Sequence, residues 1–286
     1  MHQVQPVIIP AKEAHSHTVV FLHDRGDNAE SLSVSLRRSL DSRQRSLYDV
    51  FPTFRWVFPR SGETVSFSAA GNAVSQWFDI WNLQDYSDRE EIQTLGLRNS
   101  TKLIRQILAV EADLLGGRWD RIILAGIGQG AATATHVLLN VRVSRSRPAS
   151  DSSTSASKPF PGGLGAFVGF SSRMPFPGRG LAETRRRLQL DGVPDTDTVV
   201  RKTPVLLGHY VDDQVIPVEH GRVLRDTLQG FGAQVEWREY KTGRHWLHSP
   251  SGMDEAADYL NHVLGLRQSS LDLSEKPESE AVSTTS

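Results

Sequence analysis

The sequence predicts an α/β fold with a mostly parallel central sheet and helices on both faces. Short apolar runs of strand length alternate along the chain with longer segments of helical period, as a parallel sheet with crossover helices requires. The clearest unit is residues 121–139, where an apolar strand leads through a glycine-rich turn into a run of small residues with helical character. A chain of 286 residues with 38% hydrophobic content can bury a sizeable core, as one large domain or two small ones.

The other strands are predicted from apolar runs that end in polar clusters or at proline. Residues 18–22 form the first such run and are followed by the polar cluster 23–28, and residues 54–59 close on a proline. The remaining strands are predicted at 164–171, 204–209 and 234–240.

Helices are predicted where apolar residues recur at three- or four-residue spacing. Leucines at this spacing favour a helix within residues 29–47, and residues 97–115 alternate apolar and polar side chains with helical period. Two further helices are predicted at 219–230 and 253–265, whereas residues 174–200 are expected to be rich in loops.

The domain boundaries follow from changes in composition. Residues 1–17 are polar and are expected to form a loosely held lead-in to a single domain at 18–267. A Ser/Arg/Pro/Gly-rich stretch at about 144–163 is expected to be a flexible surface insertion. The Ser/Glu-rich tail, 268–286, is expected to be disordered.

Bulk composition excludes several classes of function. A net charge of −1 and a pI near 6.8 argue against nucleic acid as a partner. The absence of cysteine excludes disulfides, thiolate metal sites and a cysteine nucleophile. With no apolar run long enough for a signal peptide or a membrane span, we expect a cytoplasmic protein.

Residues 126–130 read Gly-Ile-Gly-Gln-Gly between a strand and a helix. Strand, tight turn and helix make up the frame of the nucleophile elbow, G-x-S-x-G, in which a serine stands exposed on a strained turn. Here the flanking glycines are present, but Gly128 occupies the position of the nucleophile.

Two residues further along the chain complete the order nucleophile, acid, base that this arrangement uses. Asp213 follows the strand 204–209, and His245 follows the strand 234–240. A histidine serves as the general base and a carboxylate fixes its tautomer. Backbone donors for a developing oxyanion are expected in the loop 23–27 and at the N–H of Gln129.

Five motifs in this order resemble those of the phospholipase/carboxylesterase family of α/β-hydrolases, which includes the acyl-protein thioesterases. Residues 21–27, F-L-H-D-R-G-D, resemble F-L-H-G-x-G-D, and residues 77–80 match W-F-D-I. Residues 126–130 resemble G-x-S-Q-G, and residues 213–217 resemble D-x-x-V-P. His245 stands where the family's catalytic histidine follows an aromatic-rich strand.

The resemblance implies an α/β-hydrolase fold and a hydrolase of carboxylic esters or thioesters. It implies Asp213 and His245 as the acid and base, and the backbone of Arg25 and Gln129 as the oxyanion hole. Two positions depart from the pattern: Gly128 replaces the serine, and Asp24 replaces a glycine. Removing the serine of a comparable triad costs about 10⁶ in kcat, so ordinary acyl-enzyme catalysis is predicted to be lost or nearly so.

The pocket is predicted around the carboxyl ends of the strands. Its predicted members are His23, Asp24, Trp77, Phe78 and Ser171, with the two aromatic residues equally compatible with the core. The implied ligand is a small acyl ester or thioester, an acylated protein being one option. No cofactor and no metal is predicted, since His245 has no cluster of carboxylates or thiolates beside it.

Three alternatives remain for the function. In the first, Asp213 and His245 activate a water molecule in the space of the missing serine, giving slow hydrolysis. In the second, the protein binds an acyl ligand without turnover. More remotely, Gly126, Gly128 and Ala131 fit the dinucleotide fingerprint G-x-G-x-x-G/A, although the expected second strand with its acidic residue is absent.

Overall fold

The computed structural model describes residues 5–143, 162–245 and 250–266. Most of the predicted insertion at 144–163 and all of the predicted tail at 268–286 lie outside the described residues. No helix within the three described ranges combines the length and apolar content that crossing a membrane requires.

Nine strands lie within the described ranges. They are β1 (Val7–Ile9), β2 (His17–Leu22), β3 (Phe54–Phe58), β4 (Glu63–Val65), β5 (Ala73–Ser75), β6 (Ile122–Ile127), β7 (Ala166–Phe170), β8 (Pro204–Tyr210) and β9 (Gln234–Tyr240).

Eight α-helices and three short 3₁₀ turns lie within the same described ranges. The helices are α1 (Ala29–Arg38), α2 (Leu47–Val50), α3 (Gln93–Leu114), α4 (Gln129–Asn140), α5 (Leu181–Arg187), α6 (Thr198–Lys202), α7 (Val218–Gly230) and α8 (Ser251–Val263).

Seven strands form one sheet in the order β1-β3-β2-β6-β7-β8-β9, and β4 and β5 form a separate hairpin. Every neighbouring pair in the large sheet is parallel except β1–β3, which is antiparallel. The predicted mostly parallel sheet is confirmed. Because the strands are parallel, the loops after β2, β6, β7, β8 and β9 meet at one edge, where ligand sites of such sheets lie.

Alternate side chains of the strands face two separate cores. Val20 and Leu22 of β2 pack with α3, α4 and α7, whereas Val19 and Phe21 pack with α1, α2 and α8. The central strands are buried along their whole length, since both faces of the sheet are covered by helices.

Three sequence-based expectations need correction. The lead-in at 1–17 contains the edge strand β1 and the first residue of β2; a three-residue strand is shorter than the usual five or six and gives little periodic signal. The helix predicted within 29–47 ends at Arg38, and the next helix, α2, begins only at Leu47. Between them Asp41 accepts hydrogen bonds from the backbone N–H groups of Arg43 and Arg45 and stabilises a turn. The loop-rich stretch 174–200 contains α5 and the start of α6.

Candidate active site

Gly128 makes the turn between β6 and α4. Its φ of 53° and ψ of −123° lie outside the regions that residues with a Cβ adopt readily. Gly130, two residues later, is needed for close packing, since a Cβ there would lie 2.4 Å from the carbonyl oxygens of Leu22 and His23. The small residues of this motif thus bring the start of α4 directly against the end of β2.

Asp24, in the loop after β2, turns its carboxylate into this turn. Its Oδ1 accepts a 2.6 Å hydrogen bond from the backbone N–H of Gln129, and its Oδ2 lies 3.0 Å from Nε2 of His245. A Cβ built on Gly128 would lie only 2.0 Å from Oδ1. The carboxylate of Asp24 therefore occupies the space that a side chain at position 128 would need.

His245 and Asp213 meet at the ends of β9 and β8. Nδ1 of His245 lies 2.7 Å from Oδ2 of Asp213, whose Oδ1 accepts hydrogen bonds of 2.9 Å from the backbone N–H groups of Val215 and Ile216. Nε2 of the buried His209 lies 3.4 Å from the same Oδ2. The structure thus brings together the predicted acid and base and adds His209 behind them.

Asp212 has a different task from its neighbour. Its carboxylate accepts hydrogen bonds from the backbone N–H groups of Gly243 and Arg244, at 3.1 and 3.0 Å, in the loop that carries His245. Asp212 therefore positions the histidine loop, while Asp213 contacts the imidazole itself.

Both ring nitrogens of His245 face carboxylate oxygens, so both are placed to donate a hydrogen bond. A neutral imidazole carries only one N–H, and only imidazolium has two. Burial would by itself lower the pKa of His245, but the hydrogen bonds and charges of Asp213 and Asp24 outweigh it and raise this pKa to about 9. At neutral pH the ring is a cation that cannot accept a proton.

The pKa of Asp213 moves in the opposite direction. Burial alone would raise it, but hydrogen bonds from His209, His245 and the backbone N–H of Ile216 hold the pKa of this carboxyl well below its usual range. At neutral pH Asp213 is therefore ionised while His245 is charged, and the two form a buried ion pair.

The loop that carries Asp24 is fixed by the side chain of Arg25. Its Nε donates to Oε1 of Gln76 at 3.1 Å, and its Nη2 donates to the hydroxyls of Ser66 and Ser68 at 3.0 and 2.9 Å. The backbone N–H of Arg25 donates to no acceptor in the described part of the chain. Of the two backbone donors predicted for an oxyanion, that of Gln129 is taken by Asp24, whereas that of Arg25 has no acceptor among the described residues.

The side chain of Gln129 ties the turn to the W-F-D-I motif. Its Oε1 accepts from the N–H of Trp77 at 2.7 Å, and its Nε2 donates to the carbonyl of Phe78 at 2.8 Å. The indole N–H of Trp77 donates to the carbonyl of His23 at 2.8 Å. These bonds join in space two motifs that lie far apart in the sequence, the W-F-D-I motif and the glycine-rich turn.

A cavity of about 230 Å³ opens beside Asp24. One part of its wall is apolar, and the other part carries polar or charged side chains. The apolar residues include Ile80, Leu83, Val215 and Ile216, and the polar ones include Asp24, Tyr86, Gln129 and Arg173.

The predicted pocket residues divide into two groups. Asp24 lies on the wall of this cavity, whereas His23, Trp77, Phe78 and Ser171 are almost fully buried and lie behind it. These four residues are not part of the cavity wall. The aromatic pair belongs to the core, which was one of the two readings open from the sequence.

Arg173 is the site residue that the sequence analysis missed. It follows β7 by three positions and is only 4% exposed. Its position just after a central parallel strand was the available signal, because such loops line the ligand-binding edge of the sheet.

Neither nucleotide nor metal finds support in this geometry. The carboxylate of Asp24 occupies the N-terminus of α4, where a pyrophosphate would have to lie, and would repel it. Within the described ranges, no group of three or more His, Asp or Glu side chains is arranged to hold a metal ion.

The mostly parallel sheet, the strand–turn–helix at Gly128 and the order of Asp213 and His245 define the class as an α/β-hydrolase fold. Comparison with known proteins narrows this class. A family model described as phospholipase/carboxylesterase matches residues 3–158. The chain belongs to the phospholipase/carboxylesterase family, and the resemblance seen in the sequence motifs is confirmed.

Two fungal relatives align over nearly their whole length. An acyl-protein thioesterase 1 from Gibberella zeae is 28% identical over 265 residues, covering 92% of this chain and 97% of the relative. The corresponding protein from Yarrowia lipolytica is 26% identical over 259 residues, covering 89% and 94%. The crystal structure of Zea mays acyl-protein thioesterase 2 has the same fold, with a TM-score of 0.66 at 23% identity over 91% of this chain and 99% of that one.

Proposed function

We propose that this chain is a family member that has lost serine-based hydrolysis and binds a small carboxylic ester or thioester beside Asp24. The observation that supports this most is the position of the Asp24 carboxylate, in the space of a side chain at position 128. Asp24 brings negative charge to the place where a serine hydrolase needs a neutral hydroxyl. On this proposal Gly128 stands where the family has its nucleophile.

Three requirements of an acyl-serine mechanism are unmet in this arrangement. Gly128 supplies no hydroxyl. His245 is protonated at neutral pH and cannot act as the general base. The N–H of Gln129 is bonded to a carboxylate and is unavailable to a developing oxyanion.

The capacity to bind a ligand is supported by the cavity. Its apolar residues suit a short hydrocarbon chain, and the free N–H of Arg25 suits a carbonyl oxygen. The fungal relatives are named acyl-protein thioesterases, which is why an acyl ligand is the class that we propose.

A second function has one specific observation in its favour. His245 and Asp213 are paired at 2.7 Å, which is the geometry of a general base with its orienting carboxylate. On this alternative, His245 deprotonates a water molecule that attacks the bound ester. Because its pKa is raised to about 9, turnover by this route would be very slow at pH 7 and would increase as the pH rises through 9.

The experiment is to mix the protein with dimethyl adipate, a short neutral diester, and to follow binding and methanol release by NMR at pH 7 and pH 9.5. Our proposal expects saturable binding, with no methanol release above the uncatalysed rate at either pH. Methanol release that increases with pH and is lost in His245→Ala would favour the water mechanism. Absence of saturable binding would contradict both functions.

A further inference from the structure

Arg173 places a buried positive charge on the wall of the cavity beside Asp24. Its side chain is 4% exposed, and the residue borders the same cavity as Asp24 and the apolar residues Ile80 and Leu83. Neither the acid–base pair nor the turn at Gly128 uses this group.

The contacts of Arg173 are all with neutral groups. Its Nη2 donates to Oε1 of Gln93 at 2.8 Å, and its guanidinium carbon lies 4.0 Å from the centre of the Tyr86 ring. Within the described ranges, no carboxylate oxygen lies within 4.0 Å of its nitrogens. Glu90, whose charge reaches Arg173, is committed to ion pairs with Arg179 and Arg187.

Such a charge is expensive to bury without a counter-ion. Burial lowers the pKa of Arg173 to about 10, which still leaves the group charged at neutral pH. The guanidinium has five N–H donors; Gln93 accepts a hydrogen bond from one of its nitrogens, and the Tyr86 ring lies against it. An anion in the cavity would supply the counter-charge that the described residues around Arg173 do not.

We propose that Arg173 binds a carboxylate carried by the acyl ligand, so that the ligand is a half-ester or half-thioester of a short dicarboxylic acid. This inference rests on the proposed function, because it names the chemical class of the ligand in the same cavity. The ester end lies towards Asp24 and Arg25, the methylene chain lies against Ile80 and Leu83, and the free carboxylate pairs with Arg173.

Two features favour this class of ligand. The planar guanidinium fork matches a carboxylate in a bidentate pair. The cavity of about 230 Å³ is smaller than the ~300–1,000 Å³ usual for drug-sized ligands and so favours a short acyl chain. A short chain with charged and ester ends fits both the volume and the division of the wall into polar and apolar parts.

The test compares monomethyl adipate, which carries one carboxylate, with dimethyl adipate, which differs from it by one methyl group and has no charge. Dissociation constants at pH 7 are measured by NMR titration for the natural protein, Arg173→Gln, Arg173→Lys and Arg142→Gln. Glutamine keeps a side-chain donor for Gln93 and removes the charge. Arg142 is an exposed surface residue that contacts the exposed Asp195 and the carbonyl of Val193, so its substitution is the matched control for a change of net charge.

We expect the natural protein and Arg142→Gln to bind the half-ester about 10- to 100-fold more tightly than the diester, the range of a charge-assisted hydrogen bond. Arg173→Gln should reduce that preference to within about twofold while it still binds the diester, and Arg173→Lys should retain part of the preference. If Arg173→Gln binds neither probe, the result for Arg173→Lys decides. Equal affinity of Arg173→Lys for the two probes would then overturn the inference.

The remaining outcomes separate this inference from the proposed function. Equal affinity of the natural protein for both probes would overturn the role of Arg173 and leave ester binding intact. A preference that persists in Arg173→Gln would overturn it in the same way. Failure of the natural protein to bind either probe would contradict the proposed function and this inference with it.

Discussion

The two halves of the candidate active site differ in how far they keep the arrangement of a hydrolase. The acid–base half, consisting of Asp213, His245 and His209, has short contacts in the order that a catalytic pair requires. The nucleophile half, consisting of Asp24, Gly128 and Gln129, has a carboxylate where a hydroxyl is needed. The carboxylate of Asp24 reaches across to His245 and, together with Asp213, raises the pKa of its imidazole. An intact acid–base geometry therefore does not by itself establish a working base.

The largest effect is expected from repairing the nucleophile half. We expect the double variant Asp24→Gly/Gly128→Ser to react with a fluorophosphonate at least ~10²-fold faster than either single variant. Gly128→Ser alone keeps a carboxylate 2.0 Å from the site of its new Cβ, and Asp24→Gly alone has no hydroxyl at position 128. Labelling is measured by mass spectrometry.

His245→Ala added to the double variant is the control and should abolish the gain. If Gly128→Ser alone were labelled as fast as the double variant, Asp24 would not be the obstacle, and the contrast between the two halves would not hold.

A stability effect should follow from the same crowding. Gly128→Ala is expected to lower the free energy of unfolding by about 2–4 kcal/mol, because the added Cβ meets Asp24 and because φ of 53° is strained for alanine. Combining it with Asp24→Gly should relieve the clash, with a coupling of about 1–3 kcal/mol in urea unfolding. Additive effects would mean that the carboxylate does not occupy this space.

Much of this site could be predicted from the sequence, and the limit is instructive. The α/β class, the family and the pairing of Asp213 with His245 follow from local patterns and motif order. The inward turn of Asp24 does not, because it depends on a contact with Gln129 across 105 positions of sequence. In the sequence, residues 24 and 128 are therefore two separate departures, and only the fold shows that the side chain of one occupies the space left by the other.

The same limit applies to Arg173 and to the predicted pocket residues. The sequence marks the ends of strands as candidates, but the direction of each side chain depends on packing between distant elements. Trp77 and Phe78 lie in the core, where Gln129 bonds their backbone, whereas Arg173 lies on the cavity wall against the ring of Tyr86.

Stability should depend on pH in a way that separates the two halves. The pKa of His245 is raised from 6.5 to about 9 in the folded chain, so its favourable contribution is complete below about pH 6.5 and is lost as the pH rises through 9. The full loss is about 3 kcal/mol, and Asp24→Asn, which removes one of the two charges, should lose only about half as much. Urea unfolding of both proteins between pH 6 and 10 measures it, and parallel curves would contradict the Asp24–His245 contact.

The smallest effect is expected at Asp212, which acts only by positioning. Asp212→Ala removes the acceptor for the backbone N–H groups of Gly243 and Arg244 and should lower stability by about 1 kcal/mol. Hydrogen exchange should accelerate at those two amides and remain unchanged in β6 and α4. Protection that is lost equally at Gln129 would show that the two halves are not separable.

The measurement that tests the central claim most directly is the protonation of His245, followed by ¹⁵N NMR of its ring between pH 6 and 10. With the Asp24 carboxylate on Nε2 and the Asp213 carboxylate on Nδ1, both nitrogens should carry a proton at pH 7 and titrate near pH 9. In Asp24→Asn the transition should move towards 6.5. A neutral imidazole at pH 7 in the natural protein would contradict the account. It would mean that the Asp24 carboxylate, which lies in the space of the missing nucleophile, does not accept a hydrogen bond from protonated Nε2 of His245.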